Sequence, residues 1–412
     1  MKEVLIVGKG KSGLAAGRLL ERKGYSVIYY DDREKTFIPE NPVLVVKSPG
    51  VPSTHPIVQL FRNRGIEVIG EVEIAGRYLK GRVIGITGTN GKSTTTALVY
   101  HVLKKVWNGK VFIGGNYGIP VSDFAAETDD ESISVLELSS YKIEDLKNFK
   151  CNISAVLNVT PDHLNRYRCF EEYLRAKLKL VNHTEDRIVV NRDDPSLSHL
   201  CKLKKSLTFS MKSKSADIFY SGGEVFFKNF SFNSSEFPIK GYHNIQNIMA
   251  SILILASAGI DPAKAVDAMN DFKGLEHRLE HVRTLNGIVF INDSKSTNVD
   301  SLEKALLSFR EVILIAGGKD KGIDFSPIKS LMKERVKKAF FIGETGKKLE
   351  KLFSDVTDAE FKSSLEEAVT SAYKSARSGD VILFSPGCSS FDMFKNFEER
   401  GKIFKQIVEE LK

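Results

Sequence analysis

Residues 82–96, RVIGITGTNGKSTTT, leave this chain the fewest ways to fold. Val83, Ile84 and Ile86 form a short apolar run of strand type, Gly88 and Gly91 break it, and Lys92, Ser93 and Thr94 open a segment with helical spacing. Strand, glycine turn and helix in that order aim successive backbone N–H groups into one concavity and put the positive end of a helix behind it, which is a cradle for phosphate. One position departs from G-x-x-x-x-G-K-[ST]: Ile86 stands where the first glycine belongs, with Gly85 and Gly88 on either side. The signal is therefore G-T-N-G-K-S, with Gly88, Thr89, Asn90 and Gly91 around the phosphates, Lys92 on the outer ones and the Ser93 hydroxyl on Mg²⁺. The plain alternative is a strand, turn and helix in which a serine only caps the helix.

The device recurs. Residues 4–13 (VLIVGKGKSG), 83–93 and 312–322 (VILIAGGKDKG) each run from an apolar strand into a glycine turn, and helical patterns follow each. Three α/β units with mostly parallel sheets are expected, divided as 1–81, 82–275 and 276–412. A chain of 412 residues suits that number, since single cores stop growing well below this length.

The net charge of +8 fits an anionic ligand or, more simply, a lysine-rich surface with no function, since it is dispersed and forms no basic block interleaved with aromatics; no nucleic-acid partner is expected. Cys151, Cys169, Cys201 and Cys388 have no C-x-x-C spacing, which argues against a zinc site or a disulfide framework and for a reduced, cytoplasmic setting. MKEVLIVGKG enters a strand and a glycine turn at once, unlike a signal peptide. The apolar run at 245–260 is interrupted by Gln246, Asn247 and serines and reads as a buried helix; no membrane insertion is expected.

In the first unit Gly8, Gly10 and Gly13 form G-x-G-x-x-G, and Asp31 and Asp32 end the next strand. That pattern admits a nicotinamide cofactor, a turn used only for folding, or another nucleotide. Ser48-Pro49-Gly50 is a rigid turn after a strand. In the second unit, Asn116 lies in a glycine-rich turn and Glu137 near the end of a strand, where a carboxylate can serve nucleotide-bound Mg²⁺ or cap a helix. Asp162 and His163 follow another strand, and Lys177 and Lys179 fall on an amphipathic helix where pattern alone makes them solvated charges. Asn244 and Asn247 share a face at the start of a helix, as caps or, less simply, as an amide pair for a purine edge. In the third unit Asp293, Lys295 and Thr297 form a polar turn, Lys319, Asp320 and Lys321 another. Phe391, Phe394 and Phe397 recur at threes, which reads as the core face of a helix.

Taken together the motifs are no longer generic. GTNGKST, ELSSYKIE, NVTPDHLNRY, HNIQN, EHRLE, NDSKSTN, GGKDKG and SPGCSSFDMFKNFEERG stand in the order seen in the Mur ligases, and the chain resembles that family over essentially all its length. The wording of NVTPDH, NDSKSTN and the last motif, with the short first unit, is most similar to the branch that joins D-glutamate to UDP-N-acetylmuramoyl-L-alanine in peptidoglycan synthesis. The resemblance implies a Rossmann-like N-terminal domain, a central P-loop ATPase-like domain and a C-terminal Rossmann-like domain. It also implies a monomer that uses ATP to make an acyl phosphate, which the amine of the amino acid then attacks.

Position by position, the resemblance implies catalytic roles for Lys92, Asn116, Glu137, His163, Lys177 and Lys295. Ser93, Glu137 and His163 resemble ligands of two Mg²⁺ ions, and Lys177 falls where the family has a lysine carbamate formed with CO₂, with Lys179 close by. Asn244, Asn247, Arg278 and Asp293 resemble the adenosine site; Ser12, Asp32, Arg33 and Ser48, with Asn116 and Ser139, resemble contacts to the UDP-sugar. Thr297, Lys321, Ser390, Phe391 and Phe397 resemble the D-glutamate pocket. Asp32 stands where a hydroxyl is usual, and Tyr141 and Lys142 where Phe and Gln are common. A nicotinamide dehydrogenase would leave the phosphate loop idle, and a nucleotide switch would not need three such turns. Within the family the competitors are a ligase for another amino acid and a folylpolyglutamate-type ligase, which lacks the Rossmann-like UDP domain.

Overall fold

The computed structural model describes residues 2–34, 37–162, 166–239 and 241–412. The chain divides into two compact units, Met1–Phe272 and Lys273–Lys412. The first contains two sheets and the second contains one.

The first sheet is built from β1 (Glu3–Val7), β2 (Ser26–Tyr30), β3 (Leu44–Lys47) and β4 (Val68–Gly70), all parallel in the order β2-β1-β3-β4. Side chains alternate across a strand. Accordingly Val4 and Ile6 pack with Ala16 and Leu20 of the helix Lys11–Arg22, while Leu5 and Val7 pack with Val58 and Phe61 of the helix Pro56–Asn63. Both faces are covered, which is why these strands read as unbroken apolar runs.

The second sheet has nine strands: β5 (Arg82–Thr87), β6 (Val111–Gly115), β7 (Ile133–Glu137), β8 (Cys151–Val156), β9 (Thr184–Asn191), β10 (Ser206–Ser210), β11 (Ile218–Ser221), β12 (Glu224–Phe227) and β13 (Phe230–Asn233). Their order is β13-β12-β11-β10-β9-β8-β5-β7-β6, parallel from β6 to β11 and antiparallel beyond. Chain order reverses around β5, which pairs with β7 on one side and β8 on the other. Ligands of open α/β sheets bind in the crevice at such a reversal, outside the carboxyl ends of the strands. The helix Tyr242–Ser257 is buried from Ile248 to Leu255, as its apolar run requires.

The second unit holds β14 (Glu280–Leu285), β15 (Ile288–Asn292), β16 (Val312–Gly317), β17 (Val336–Ile342), β18 (Asp358–Phe361) and β19 (Val381–Phe384), in the order β14-β15-β19-β16-β17-β18. Only β14 runs antiparallel. With β19 between β15 and β16, the turns after all three strands come to one edge. One sequence expectation fails here. Phe391 and Phe394 precede the helix Phe397–Glu410 rather than lining it, and Phe391 is 67% exposed. Asn396 caps that helix by accepting the Glu399 N–H, so the helix starts too late to hold the earlier rings.

Candidate active site

The chain leaves β5 into the glycine turn. Gly88 (φ 151°) and Gly91 (φ 82°) have backbone angles that a side chain would strain, and a Cβ on Gly91 would lie 2.3 Å from Asn247 Oδ1. Gly91 is the residue before the helix Lys92–Val106, and no side chain caps that end. The plain alternative of a helix-capping serine therefore does not hold, and the first-turn N–H groups have no side-chain cap. The turn is held from the end of β8. Asn158 accepts the Asn90 N–H (2.8 Å) and donates to Asn90 O (3.0 Å), while its own carbonyl accepts the Thr89 N–H (2.9 Å). The sequence reading passed over Asn158, because an asparagine inside NVTPDH shows its purpose only once β8 is known to lie beside β5.

Two lysines converge on this turn. Lys92 Nζ donates to Gly88 O (2.9 Å) and Thr89 O (2.8 Å), and Lys177 Nζ donates to Gly88 O (2.7 Å). Lys177 is not the solvated charge that helical pattern suggests: it is 2% exposed, 4.6 Å from the centre of the Tyr173 ring. Burial, then the neighbouring Lys92 charge, hold its pKa well below the usual lysine value, against the opposing pull of Asp162 and Glu137. Lys179 is engaged elsewhere, donating to Glu144 O at 2.8 Å.

Glu137 ends β7 next to the turn and is buried. Its Oε1 accepts from Asn116 Nδ2 at 3.4 Å, and Asn116 N–H donates to the Glu137 carbonyl at 2.8 Å. Glu137 Oε2 is buried without a hydrogen-bond partner among the described residues. A carboxylate oxygen stranded in this way costs free energy unless a ligand satisfies it. His163 lies outside the described residues; its neighbour Asp162 is half-buried. Ser139 precedes the short helix Ser140–Ile143.

Asn244 and Asn247 do not cap their helix, which begins after Gly241 with no side-chain cap. Asn247 Nδ2 donates to Asn244 Oδ1 (3.1 Å), and Asn247 Oδ1 accepts from Thr95 Oγ1 (3.3 Å) on the helix behind the phosphate turn. The amide pair therefore flanks the turn itself.

At the first sheet, Ser48 Oγ donates to Gly8 O (2.7 Å), and a Cβ on Gly13 would meet that carbonyl at 2.1 Å. The third glycine of the pattern serves this close approach. Of the two acids after β2, Asp31 faces the turn. It accepts the Lys9 N–H (3.3 Å) and pairs with Arg33 (2.9 Å), whose guanidinium holds the carboxyl well below the usual range. Asp32 turns away to Tyr30 Oη (2.9 Å) and His55 Nε2 (3.1 Å). Ser12 accepts from Lys142 Nζ at 3.2 Å.

In the second unit Asp293 follows β15 and is buried. Its Oδ1 accepts the Leu279 N–H (3.2 Å), Oδ2 accepts the Ser385 hydroxyl (2.8 Å), and burial pushes its carboxyl up to about 7. Arg278 sits between His277 (φ 65°) and Leu279 (φ 45°), two non-glycine residues in the left-handed region, so this turn is strained. Lys295 Nζ lies 3.8 Å from the centre of the Phe397 ring. Ser390 is buried, Thr297 half-buried and Lys321 exposed.

Arg400 is a further residue the sequence reading missed. Fully buried, it donates to Ser294 Oγ (3.0 Å), Ser294 O (2.7 Å) and Cys388 O (3.1 Å), tying the turn after β15 to the turn after β19. Burial lowers its pKa to about 10. Its position inside EERG had given no sign that one of four charged or small neighbours would be buried.

A phosphate turn with two lysines, a stranded carboxylate and an amide pair defines a nucleotide-dependent enzyme on an α/β scaffold. Comparison narrows the class. The Mur ligase middle domain matches residues 86–255 and the Mur ligase glutamate ligase domain matches residues 277–388. The chain belongs to the Mur ligase family. It is 38% identical to the UDP-N-acetylmuramoylalanine–D-glutamate ligase of Caldicellulosiruptor saccharolyticus, covering 100% of this chain and 99% of that one. It is 40% identical to the enzyme of the same name from Aquifex aeolicus, covering 98% of each. Among solved structures, its fold is similar to the UDP-N-acetylmuramate-alanine ligase of Thermotoga maritima (TM-score 0.67, 22% identity, 99% of each chain). It is also similar to the MurF ligase of Thermotoga maritima in complex with ADP (TM-score 0.63, 18% identity, 98% of this chain and 95% of that one).

Proposed function

We propose that this chain is the ATP-dependent ligase that joins D-glutamate to UDP-N-acetylmuramoyl-L-alanine in peptidoglycan precursor synthesis. The relatives that match it end to end carry that activity in their names. The observation that carries the chemistry is the convergence of Lys92 and Lys177 on the Gly88 carbonyl beside the stranded Glu137 oxygen. Two lysine side chains and one unsatisfied carboxylate oxygen around a glycine turn suit a triphosphate and its metal, since phosphoryl transfer asks for positioning and charge neutralisation more than covalent help.

In this reading an oxygen of the substrate's alanyl carboxylate takes the γ-phosphoryl group of ATP, and ADP leaves. The amine of D-glutamate then attacks the acyl carbon, a proton is lost from nitrogen, and inorganic phosphate departs with the former carboxylate oxygen. Lys92 neutralises the outer phosphates, and the glycine turn with the start of the helix Lys92–Val106, from Gly88 to Thr94, holds them. Asn244 and Asn247, with Arg278 and Asp293, take the adenosine.

No group of three His, Cys, Asp or Glu side chains among the described residues could hold a metal alone. Glu137 Oε2 nevertheless fits a hard cation, and with Ser93, His163 and a Lys177 carbamate it would hold two Mg²⁺. Bound there, Mg²⁺ supplies charge neutralisation on the phosphate oxygens. The carbamate forms when the neutral Lys177 amine adds to CO₂ and releases a proton, and burial favours that neutral amine.

Ser12, Asp32, Arg33, Ser48, Asn116 and Ser139 take the UDP-sugar, Lys295 acts near the transferring phosphate, and Thr297, Lys321, Ser390, Phe391 and Phe397 serve the incoming D-glutamate. Domain limits of 1–81, 82–275 and 276–412, a monomeric state and a cytoplasmic setting complete the assignment. No helix among the described residues is long and apolar enough to cross a membrane.

Phosphate release from ATP with Mg²⁺, measured across a matrix of UDP-sugar acceptors and amino acids, tests the assignment. Release is expected only when UDP-N-acetylmuramoyl-L-alanine and D-glutamate are both present. Release with L-alanine or a diamino acid, and none with D-glutamate, would reassign the substrate.

A further inference from the structure

The segment after β7, residues 139–149, is fastened to the elements around the first sheet by buried carboxylates. Glu73 accepts the N–H groups of Lys147 (2.7 Å), Asn148 (3.0 Å) and Phe149 (3.0 Å), and Asp145 pairs with the buried Lys47 at 2.6 Å. Glu71 accepts the Ser122 N–H (2.8 Å) and pairs with Lys142 at 2.9 Å, the two side chains being 0% and 3% exposed. A buried ion pair is weak evidence of stability, because its desolvation offsets its attraction; fixing register is the better-attested use. Lys142 does more than pair, since its ammonium also donates to Ser12 Oγ at 3.2 Å.

That contact has a direction. An ammonium carries donors only, so toward Lys142 the Ser12 oxygen must accept. The Ser12 hydroxyl makes no other side-chain hydrogen bond among the described residues, which leaves its own O–H to donate outward. Ser12 is the second residue of the helix Lys11–Arg22, whose N-terminal end after Gly10 has no side-chain cap. The outward donor therefore stands among backbone N–H groups awaiting an acceptor. A glutamine at position 142 could present either its oxygen or its nitrogen to Ser12 and would not impose that direction.

We propose that Lys142 is a positioning residue that makes Ser12 an obligate donor to an anionic oxygen of the nucleotide-sugar's diphosphate. The proposal rests on the UDP-sugar role given to Ser12 above. Lys142 acts through Ser12, and because it lies five residues beyond Glu137 it links the substrate turn to the strand end that serves the phosphates.

The test is a double-mutant cycle on the full chain with three variants: Ser12→Ala, the pair Lys142→Met with Glu71→Gln, and all three changes together. Glu71→Gln keeps the acceptor for Ser122 N–H and avoids stranding a buried charge, so the fold survives the loss of the lysine. Binding of UDP by calorimetry and KM for UDP-N-acetylmuramoyl-L-alanine are measured alongside KM for ATP. Ser12→Ala and the Lys142/Glu71 pair are each expected to weaken UDP binding and raise the UDP-sugar KM about tenfold, the size of one charge-assisted contact, with KM for ATP unchanged. The triple variant should be no worse than either, because one interaction cannot be lost twice. Multiplication of the two effects to about a hundredfold, or unchanged UDP binding in the Lys142/Glu71 pair, overturns the proposal. If wild-type protein binds UDP but releases no phosphate with D-glutamate, the ligase assignment fails while the UDP cycle still decides the role of Lys142.

Discussion

The first unit contains two glycine turns made to one plan and finished differently. At Gly8–Gly13 and at Gly88–Gly91 a parallel strand ends, glycines admit a close approach, and a helix begins with no side-chain cap. Around the phosphate turn the side chains are lysines turned inward, with Lys92 and Lys177 both on the Gly88 carbonyl. Around the other turn they are hydroxyls and an acid already engaged: Ser48 on Gly8 O, Ser12 on Lys142, and Asp31 on Lys9 N–H and Arg33. The backbone supplies an anion cradle in both places, and the side chains choose how much charge it accepts. A triphosphate needs neutralising; a diphosphate ester carries less charge and can be held by donors alone.

That contrast predicts unequal losses. Lys92→Ala should lower kcat by on the order of a thousandfold, the scale at which a cation on a transferring phosphoryl group acts, and leave the UDP-sugar Kd within about twofold. A phosphate-release assay paired with calorimetry separates the two quantities. Equal losses in both would mean that the two turns serve one ligand.

Lys177→Ala comes next, with activity down about a hundredfold, in line with loss of a metal-supporting ligand. Added formate or acetate should restore part of it, since a short carboxylate can occupy the space where the carbamate would stand. No recovery with either acid leaves Lys177 a neutral amine in the mechanism and removes the carbamate from the metal site.

Glycine-to-alanine exchanges then sort the turns by ligand. Gly91→Ala puts a side chain at φ 82° and against Asn247, and a strained residue of that kind costs about 1–3 kcal/mol. KM for ATP should rise roughly tenfold or more with UDP binding intact. Gly13→Ala, which meets Gly8 O and Ser48 Oγ, should do the reverse. Parallel changes in both constants for either variant would show the turns to be one cooperative structure.

Both turns were legible in the sequence because glycine spacing after an apolar strand is a local signal. So was the buried helix at 245–260. Less visible was what depends on strand order: Asn158 matters because β8 flanks β5, and Lys142 because residues 139–149 fold back toward the first sheet. Pattern misjudged Lys177 for the same reason, since helical spacing cannot say that the face carrying it lies under a glycine turn. The two asparagines looked like caps because helix starts usually recruit them, yet Gly241 takes that place, Asn247 meets the phosphate turn and Asn244 holds Asn247. Phe391 and Phe394 obeyed a spacing of three without a helix, because Asn396 sets a later start.

The second unit sharpens the contrast by offering a buried acid in place of buried lysines, and here the expected effect is smallest. Asp293 has a folded pKa raised to about 7, against the ordinary 3.8. The folded protein therefore binds this proton more tightly than the unfolded chain, so the group's contribution to stability is full below pH 3.8 and is lost as pH rises to about 7. Asparagine keeps the shape and cannot ionise. Unfolding of ligand-free wild type and Asp293→Asn should give nearly equal stability at pH 3, with the variant gaining as pH rises to 8, by roughly 4 kcal/mol at the most. Ser385 and the Leu279 N–H both donate to this carboxylate and already offset part of the effect of burial. A variant that instead loses ground as pH rises would show Asp293 to be stabilised as an anion, and would make this turn a third charged cradle.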